Sequence, residues 1–364
     1  MTGEKTINLA LQGGGSHGAF TWGVLDAVLE DGRLAFDSVS GTSAGAMNAV
    51  ALAAGYADGG REGARESLRT FWKAISSKGW LSPLRRTPWD IWTGNWSLEN
   101  SPGYQAYNLA SRMYSPYDLN PLDVNPLRDL VEETVDFDRV NSCNAFGLFI
   151  SATNVLTGKV RVFARNEVSL DAVMASACLP TIYKAVEIDG VPYWDGGFGG
   201  NPALFPFFYE SEIEDCLLIQ INPIERFETP QTAQEIQDRV NEITFNSALL
   251  REFRAIEFVR RLSADGRLDG TDYSVIRMHR VSADAAVLDL SASSKLNTEW
   301  AFLNYLFELG RAAALDFLEE NFDDIGQRAT LDLTDELSDD VFPEKKAKSM
   351  SKRMRELIGL HSRR

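Results

Sequence analysis

Cysteine and histidine are scarce in this chain of 364 residues, with three of each. Cys143, Cys178 and Cys216 lie far apart and form no CxxC pair, which argues against a disulfide framework or a thiolate zinc site. Positive charge is also short: 36 Lys and Arg face 52 Asp and Glu, for a net charge of -16, and a general nucleic-acid binder needs clustered cations. No apolar run is long enough to span a bilayer. The opening MTGEKTINLALQGGG lacks the apolar core of a secretory leader, and no internal repeat is found. With 44% apolar and 24% charged residues, the chain reads as a globular protein whose simplest location is the reducing cytoplasm.

The apolar pattern is that of an α/β protein. INLAL is a buried-strand run, QGGGSHG breaks it, and AFTWGVLDAVLEDG has helical spacing with a stop at Gly32. FDSVS repeats the strand, SGTSAG turns, and AGAMNAVALAAG continues as helix. Two strand-to-helix units in succession predict a parallel, doubly wound sheet. Residues 61–78 carry Leu68, Phe71, Trp72 and Ile75 at helical spacing. From Trp80 to Tyr117 the texture changes to tryptophan, tyrosine and proline, an insertion rather than a sheet element. It is either a second small core or, beside an active site, a lid or acyl-chain wall.

Further along, AFGLFISATN and KVRVFARN read as strands, and SLDAVMASACLP as a short helix capped by Ser169. YKAVEIDGVPYWDGGF reads as two strands turned at Asp189-Gly190. CLLIQINP and YSVIRMHRV are later strands, residues 231–262 are one long helix or two broken ones, and residues 295–320 close the globular part with a helix. An acidic run then leads to residues 344–364, which hold eight Lys or Arg against two Glu. That tail is read either as solvated chain or as a basic amphipathic helix that touches an anionic lipid surface.

Three motifs carry chemistry. Ser43, between Gly41-Thr42 and Ala44-Gly45, sits where a strand turns into a helix, the placement that exposes a nucleophilic hydroxyl. A serine needs a base, and histidine is poorly supplied. His361 lies in the tail, His279 in a strand where a structural role fits better, and His17 in the first glycine loop. Asp195, in PYWDGGF ahead of Gly196 and Gly197, is the better candidate, because apolar surroundings raise the proton affinity of a carboxylate. Taken alone, Asp-Gly-Gly is also an ordinary turn. The third motif, Gly13-Gly14-Gly15-Ser16-His17-Gly18, fits the dinucleotide fingerprint GxGxxG, but the acidic residue that fold wants at the end of its second strand is replaced by the serine turn. Its other use is a row of N–H groups for an oxyanion at a helix N-terminus.

Together and in this order, the three motifs resemble the patatin-like phospholipase family of serine acyl hydrolases, over roughly residues 5–222. The resemblance implies a three-layer αβα sandwich with a mostly parallel sheet; the aromatic-rich insertion is placed at residues 80–120 and a helical completion of the fold is expected at 223–330. The hydrolase domain would then span residues 1–330, with a linker and tail at 331–364. It also implies a Ser-Asp dyad in place of a triad: Ser43 as nucleophile, Asp195 as general base, and the N–H groups of Gly13, Gly14, Gly15 and Ala44 as oxyanion donors. Gly18, Gly41, Gly45, Gly196 and Gly197 shape the motifs, and no metal or organic cofactor is required. His17 stands where many relatives carry Arg or Lys, a departure that bears on charge beside the loop and on pH dependence. The implied function is a lipid acyl hydrolase of phospholipase A or lysophospholipase type. The alternatives are esterase action on a neutral lipid, thioester or storage polyester, or a non-catalytic lipid-binding scaffold, and the expected partner is an acyl-ester substrate with peripheral contact to a lipid surface.

Overall fold

The computed structural model describes residues 3–79, 82–226, 228–271, 274–282 and 290–338. The basic tail at 344–364 lies outside the described residues.

The run Lys5–Leu11 forms β1, whose last five residues are fully enclosed. It is flanked in parallel by β2 (Leu34–Gly41) and, across the other edge, by β7 (Asp215–Gln220). Beyond β2 lies β3 (Gly147–Asn154), and beyond β7 lies β8 (Arg277–Ser282), both parallel to their neighbours. Antiparallel pieces finish one side of the sheet: β4 (Val160–Ala164) and β6 (Val191–Asp195) pair with β3, and β5 (Val186–Ile188) pairs with β6. The spatial order is β5-β6-β3-β2-β1-β7-β8. After β1 the chain moves outward through β2 and β3, then returns to add β7 on the opposite side of β1. The crevice beyond the strand ends at such a reversal is where open α/β sheets bind ligands.

Alternation along the strands divides two cores. Ile7, Leu9, Leu11, Leu217 and Ile219 face α1 (Gly18–Asp31), α2 (Ala44–Gly79) and α5 (Trp300–Asn321). Ala10, Cys216, Leu218 and Met278 face the other way, toward Leu249, Phe253 and Ile256 of α4 (Ala233–Ala264). Helices therefore cover both faces of a mostly parallel sheet, the αβα arrangement expected. Helices α1 and α5 cross closely at glycines: a Cβ on Gly23 would lie 2.0 Å from the Phe307 carbonyl oxygen.

The local readings hold in detail. Gly32 ends α1 in a left-handed conformation (φ 77°). The hydroxyl of Ser169 caps α3 (Leu170–Ser176) by accepting the Ala172 N–H. Asp189 and Gly190 both take positive φ in the β5–β6 hairpin. The stretch read as 231–262, one helix or two, is a single helix, Ala233–Ala264. The segment read as 61–78 is the second half of α2, which kinks at Gly59 and Gly60. The insertion contains the short helices Pro88–Thr93, Pro102–Met113 and Pro116–Leu119. In each, proline occupies the first turn behind a Thr or Ser cap, so these prolines start helices. His279 is structural, as expected: its ring nitrogens meet Asp215 Oδ1 and Thr330 Oγ1, both at 3.0 Å.

Candidate active site

The strand register explains how two distant motifs meet. Gly41, at the end of β2, pairs with Ile150 of β3, and Asp195, at the end of β6, pairs with Ala152 on the same strand. The serine turn and the acidic turn therefore leave the sheet side by side. A Cβ on Gly196 would meet Thr42 Cγ2 at 2.9 Å and the Ser151 carbonyl oxygen at 2.1 Å.

Ser43 itself adopts φ 55°, the left-handed region that a β-carbon disfavours. This strain is held from several sides. The Ser43 N–H donates to Ser176 Oγ (2.8 Å), the Thr42 hydroxyl donates to the Gly200 carbonyl (2.8 Å), and the Thr42 N–H donates to the Leu11 carbonyl (3.2 Å). Gly41 and Gly45 are required by close approach, since a Cβ on Gly45 would lie 2.1 Å from the Leu11 carbonyl oxygen. A sharp turn over-determined in this way presents a side chain at the strand end.

Asp195 is 1% exposed. Its Oδ1 accepts the Gly197 N–H at 2.7 Å, while Oδ2 is buried with no hydrogen-bond partner among the described residues. Burial pushes the carboxyl up to about 7, opposed by the Gly197 N–H, the Ser43 hydroxyl and the charge of Lys295. The Ser43 hydroxyl is thus near enough to favour the charged carboxylate, although no hydrogen bond of full geometry closes onto Oδ2. A hydroxyl beside a carboxyl that titrates near neutrality can lose its proton to it.

The glycine loop lies against the serine: a Cβ on Gly13 would sit 2.7 Å from Ser43 Cβ and 2.6 Å from the Thr42 carbonyl oxygen. The Gly13 peptide differs from expectation, because both of its polar groups are occupied. Its N–H donates to Asn201 Oδ1 (2.7 Å), and its carbonyl accepts from Asn222 Nδ2 (2.6 Å). Gly13 therefore shapes the loop and does not offer a free donor. For Gly14, Gly15 and Ala44 no N–H donation is found among the described residues. Gly15 takes φ 59°, and Gly18 packs against Ala44 and Trp72. Behind the loop, Gln12 Oε1 accepts the N–H groups of Ile221 and Asn222, and Gln12 Nε2 donates to Asn246 Oδ1.

His17 joins the glycine loop to a later segment of the chain. It is buried, and its Nε2 lies 2.7 Å from Ser294 Oγ. Because the Ser294 hydroxyl already donates to the Ser291 carbonyl, His17 Nε2 must carry the proton in this contact and Nδ1 is bare. Burial, with Lys295 and Arg226 adding to it, holds the ring well below its usual 6.5. The imidazole is therefore a neutral strut between the glycine loop and the short helix Ala292–Leu296.

An apolar wall closes the acidic side. Phe198 and Phe245 pack with centroids 5.1 Å apart, and a Cβ on Gly197 would collide with Phe245 at 2.1 Å. Cys178 does not compete as a nucleophile, since burial pushes its thiol up to about 12. In the insertion, Trp96 packs against Phe302 and Tyr305, whereas Trp89 and Trp92 are 65% and 73% exposed. The insertion reaches α4 through Asn108 and Gln234, and the residues after α3 through the Tyr117 hydroxyl, which accepts the Ala185 N–H at 3.3 Å. It therefore combines a small core with an exposed aromatic rim.

Ser176, Asn201, Asn222, Phe245 and Lys295 went unnoticed in the sequence. Asn201 and Asn222 each precede a proline and read as turn residues, and Lys295 sits in a segment without a motif.

The patatin-like phospholipase family matches residues 9–208, more than half of the chain. The chain belongs to the patatin-like phospholipase family. Among solved structures, VipD from Legionella pneumophila is similar at 14% identity and TM-score 0.38, covering 87% of this chain and 67% of that one. ExoU of Pseudomonas aeruginosa, solved with SpcU, is similar at 16% identity and TM-score 0.28, covering 98% of this chain and 66% of that one. This chain thus spans about two thirds of those chains. No match is found among the curated proteins. No helix among the described residues is long and apolar enough to cross a membrane.

Proposed function

We propose that this patatin-like protein is a lipid acyl hydrolase that cleaves carboxylic esters through an acyl-enzyme on Ser43. The observation that carries the reading is the buried Asp195 carboxyl, pushed up to about 7 and opposed by the adjacent Ser43 hydroxyl. Ser43 Oγ attacks the ester carbonyl while its proton passes to Asp195. The tetrahedral oxyanion meets the N–H groups of Gly14, Gly15 and Ala44 at the N-termini of the two helical segments. Collapse of the intermediate breaks the bond to the leaving alcohol, which takes the proton from Asp195. Water then repeats the sequence on the acyl-enzyme, giving the free acid and restoring Ser43.

Phe198 and Phe245, packed beside Gly197, support an apolar acyl chain, and hence a lipid ester of phospholipase A or lysophospholipase type. The test is hydrolysis of p-nitrophenyl esters and phospholipids by the parent, Ser43→Ala and Asp195→Asn. Both variants should lose about three orders of magnitude in kcat. Activity surviving in Ser43→Ala would remove the nucleophile assignment, and the products from phospholipid define the bond cleaved.

A further inference from the structure

The short helix Ala292–Leu296 lies outside the residues matched by the family and outside all three sequence motifs, yet it packs directly on the glycine loop. A Cβ on Gly15 would lie 2.5 Å from the Lys295 carbonyl oxygen and 3.3 Å from Lys295 Cβ. From there the side chain runs along the loop: Lys295 Nζ donates to Asn222 Oδ1 at 2.7 Å, and that same Oδ1 lies 3.5 Å from the place of a Cβ on Gly14. Asn222 in turn holds the Gly13 carbonyl. The ammonium is thus bonded to the side chain that also holds the Gly13 carbonyl and whose Oδ1 lies against Gly14.

No carboxylate lies within 4.0 Å of this ammonium among the described residues. The acidic groups that face it are otherwise engaged. Glu242 of α4 is bonded by Arg226 (2.6 Å) and Arg239 (3.1 Å), and Asp238 of α4 accepts from Gln234 (2.8 Å). Asp195, Arg226 and His17 complete the charged and titratable surroundings. A partly buried cation without an ion-pair partner is unfavourable in the resting protein, and it becomes favourable when the reaction creates a negative charge beside it.

We propose that Lys295 supplies the positive charge that stabilises the oxyanion, acting from the Asn222 side of the glycine loop. This rests on the acyl-hydrolase reading above. The carbonyl oxygen of the bound ester is uncharged, so the attraction strengthens as the tetrahedral intermediate forms and is expressed in kcat more than in KM. Lys295 also favours the charged form of Asp195, so its removal raises the proton affinity of the base.

The experiment compares the parent, Lys295→Met and Lys295→Arg on a neutral p-nitrophenyl ester and on phosphatidylcholine vesicles, with Ser43→Ala as the blank and thermal melting as a check on folding. Lys295→Met should lower kcat on both substrates roughly 100-fold, with KM near the parent value, and should move the acid limb of kcat/KM to higher pH. Lys295→Arg should recover most of the rate and the parent limb. Unchanged kcat on the neutral ester overturns the proposal. So does a loss confined to KM on the phospholipid, which would make Lys295 a head-group contact. A loss in both variants that tracks melting while the limb stays fixed overturns it as well. Activity in Ser43→Ala instead removes the acyl-hydrolase reading itself, and a parent inactive on both substrates overturns both.

Discussion

Asp195 is held in a state that costs the folded protein something. In an unfolded chain an aspartate titrates near ~3.9, whereas here burial pushes the carboxyl up to about 7. Between those values the folded protein keeps a proton that the unfolded chain has released, so stability falls as pH rises through this window and stays lower above it. Asp195→Asn removes the titration. The variant should therefore melt higher than the parent at pH 8, by up to about 4 kcal/mol in stability, and the gain should vanish toward pH 4. Calorimetric melts of both proteins from pH 4 to 8 check this, and a difference independent of pH would mean that the carboxyl is not desolvated. The Gly13 peptide shows a different use of polar groups. Two asparagines from distant loops hold its N–H and carbonyl, so the loop is fixed before any substrate arrives, as electrostatic preorganisation requires.

At the level of elements, α4 does more than cover the second face of the sheet. Its capping box at Thr232 starts the helix, Asn246 joins the amides behind the glycine loop, and Phe245 stands over Gly197 next to Asp195. Phe245→Ala should weaken use of long-chain esters while sparing short ones. Loss of aromatic contact with a chain amounts to ~1–3 kcal/mol, read as a 10- to 100-fold fall in kcat/KM for a C12 p-nitrophenyl ester against little change for C2. Equal effects on both would place Phe245 in scaffolding and not in the acyl wall. The helix was readable in the sequence by its length and polar pattern. Its relation to Gly197 was not, because that contact depends on the path taken after β7.

Across the whole molecule, the sequence made the order of strands and helices legible wherever apolar period and a stop signal coincide, as at Gly32, Ser169 and Asp189-Gly190. The candidate pair was also legible, since a serine turn and an acidic turn both fall at strand ends. Their meeting depends on register: Gly41 and Asp195 pair with residues 150 and 152 of one strand, and no local pattern encodes that. The same limit applies to Asn201, Asn222 and Lys295, which act through contacts far apart in the chain. His17 was legible as a departure in the loop but not as a neutral strut, because its partner Ser294 lies 277 residues away. The insertion was recognised by composition, whereas its exposed tryptophans and packed Trp96 separate only in three dimensions.

In the mechanism proposed here, Asp195 takes the proton of Ser43. The most direct test is the pH dependence of acylation, measured in a single turnover by release of p-nitrophenol from the parent and from Asp195→Asn. The parent should gain rate with rising pH along a limb centred at about 7, and the variant should be slower by about three orders of magnitude with that limb gone. An Asp195→Asn enzyme that acylates at the parent rate, or that keeps the same limb, would contradict it.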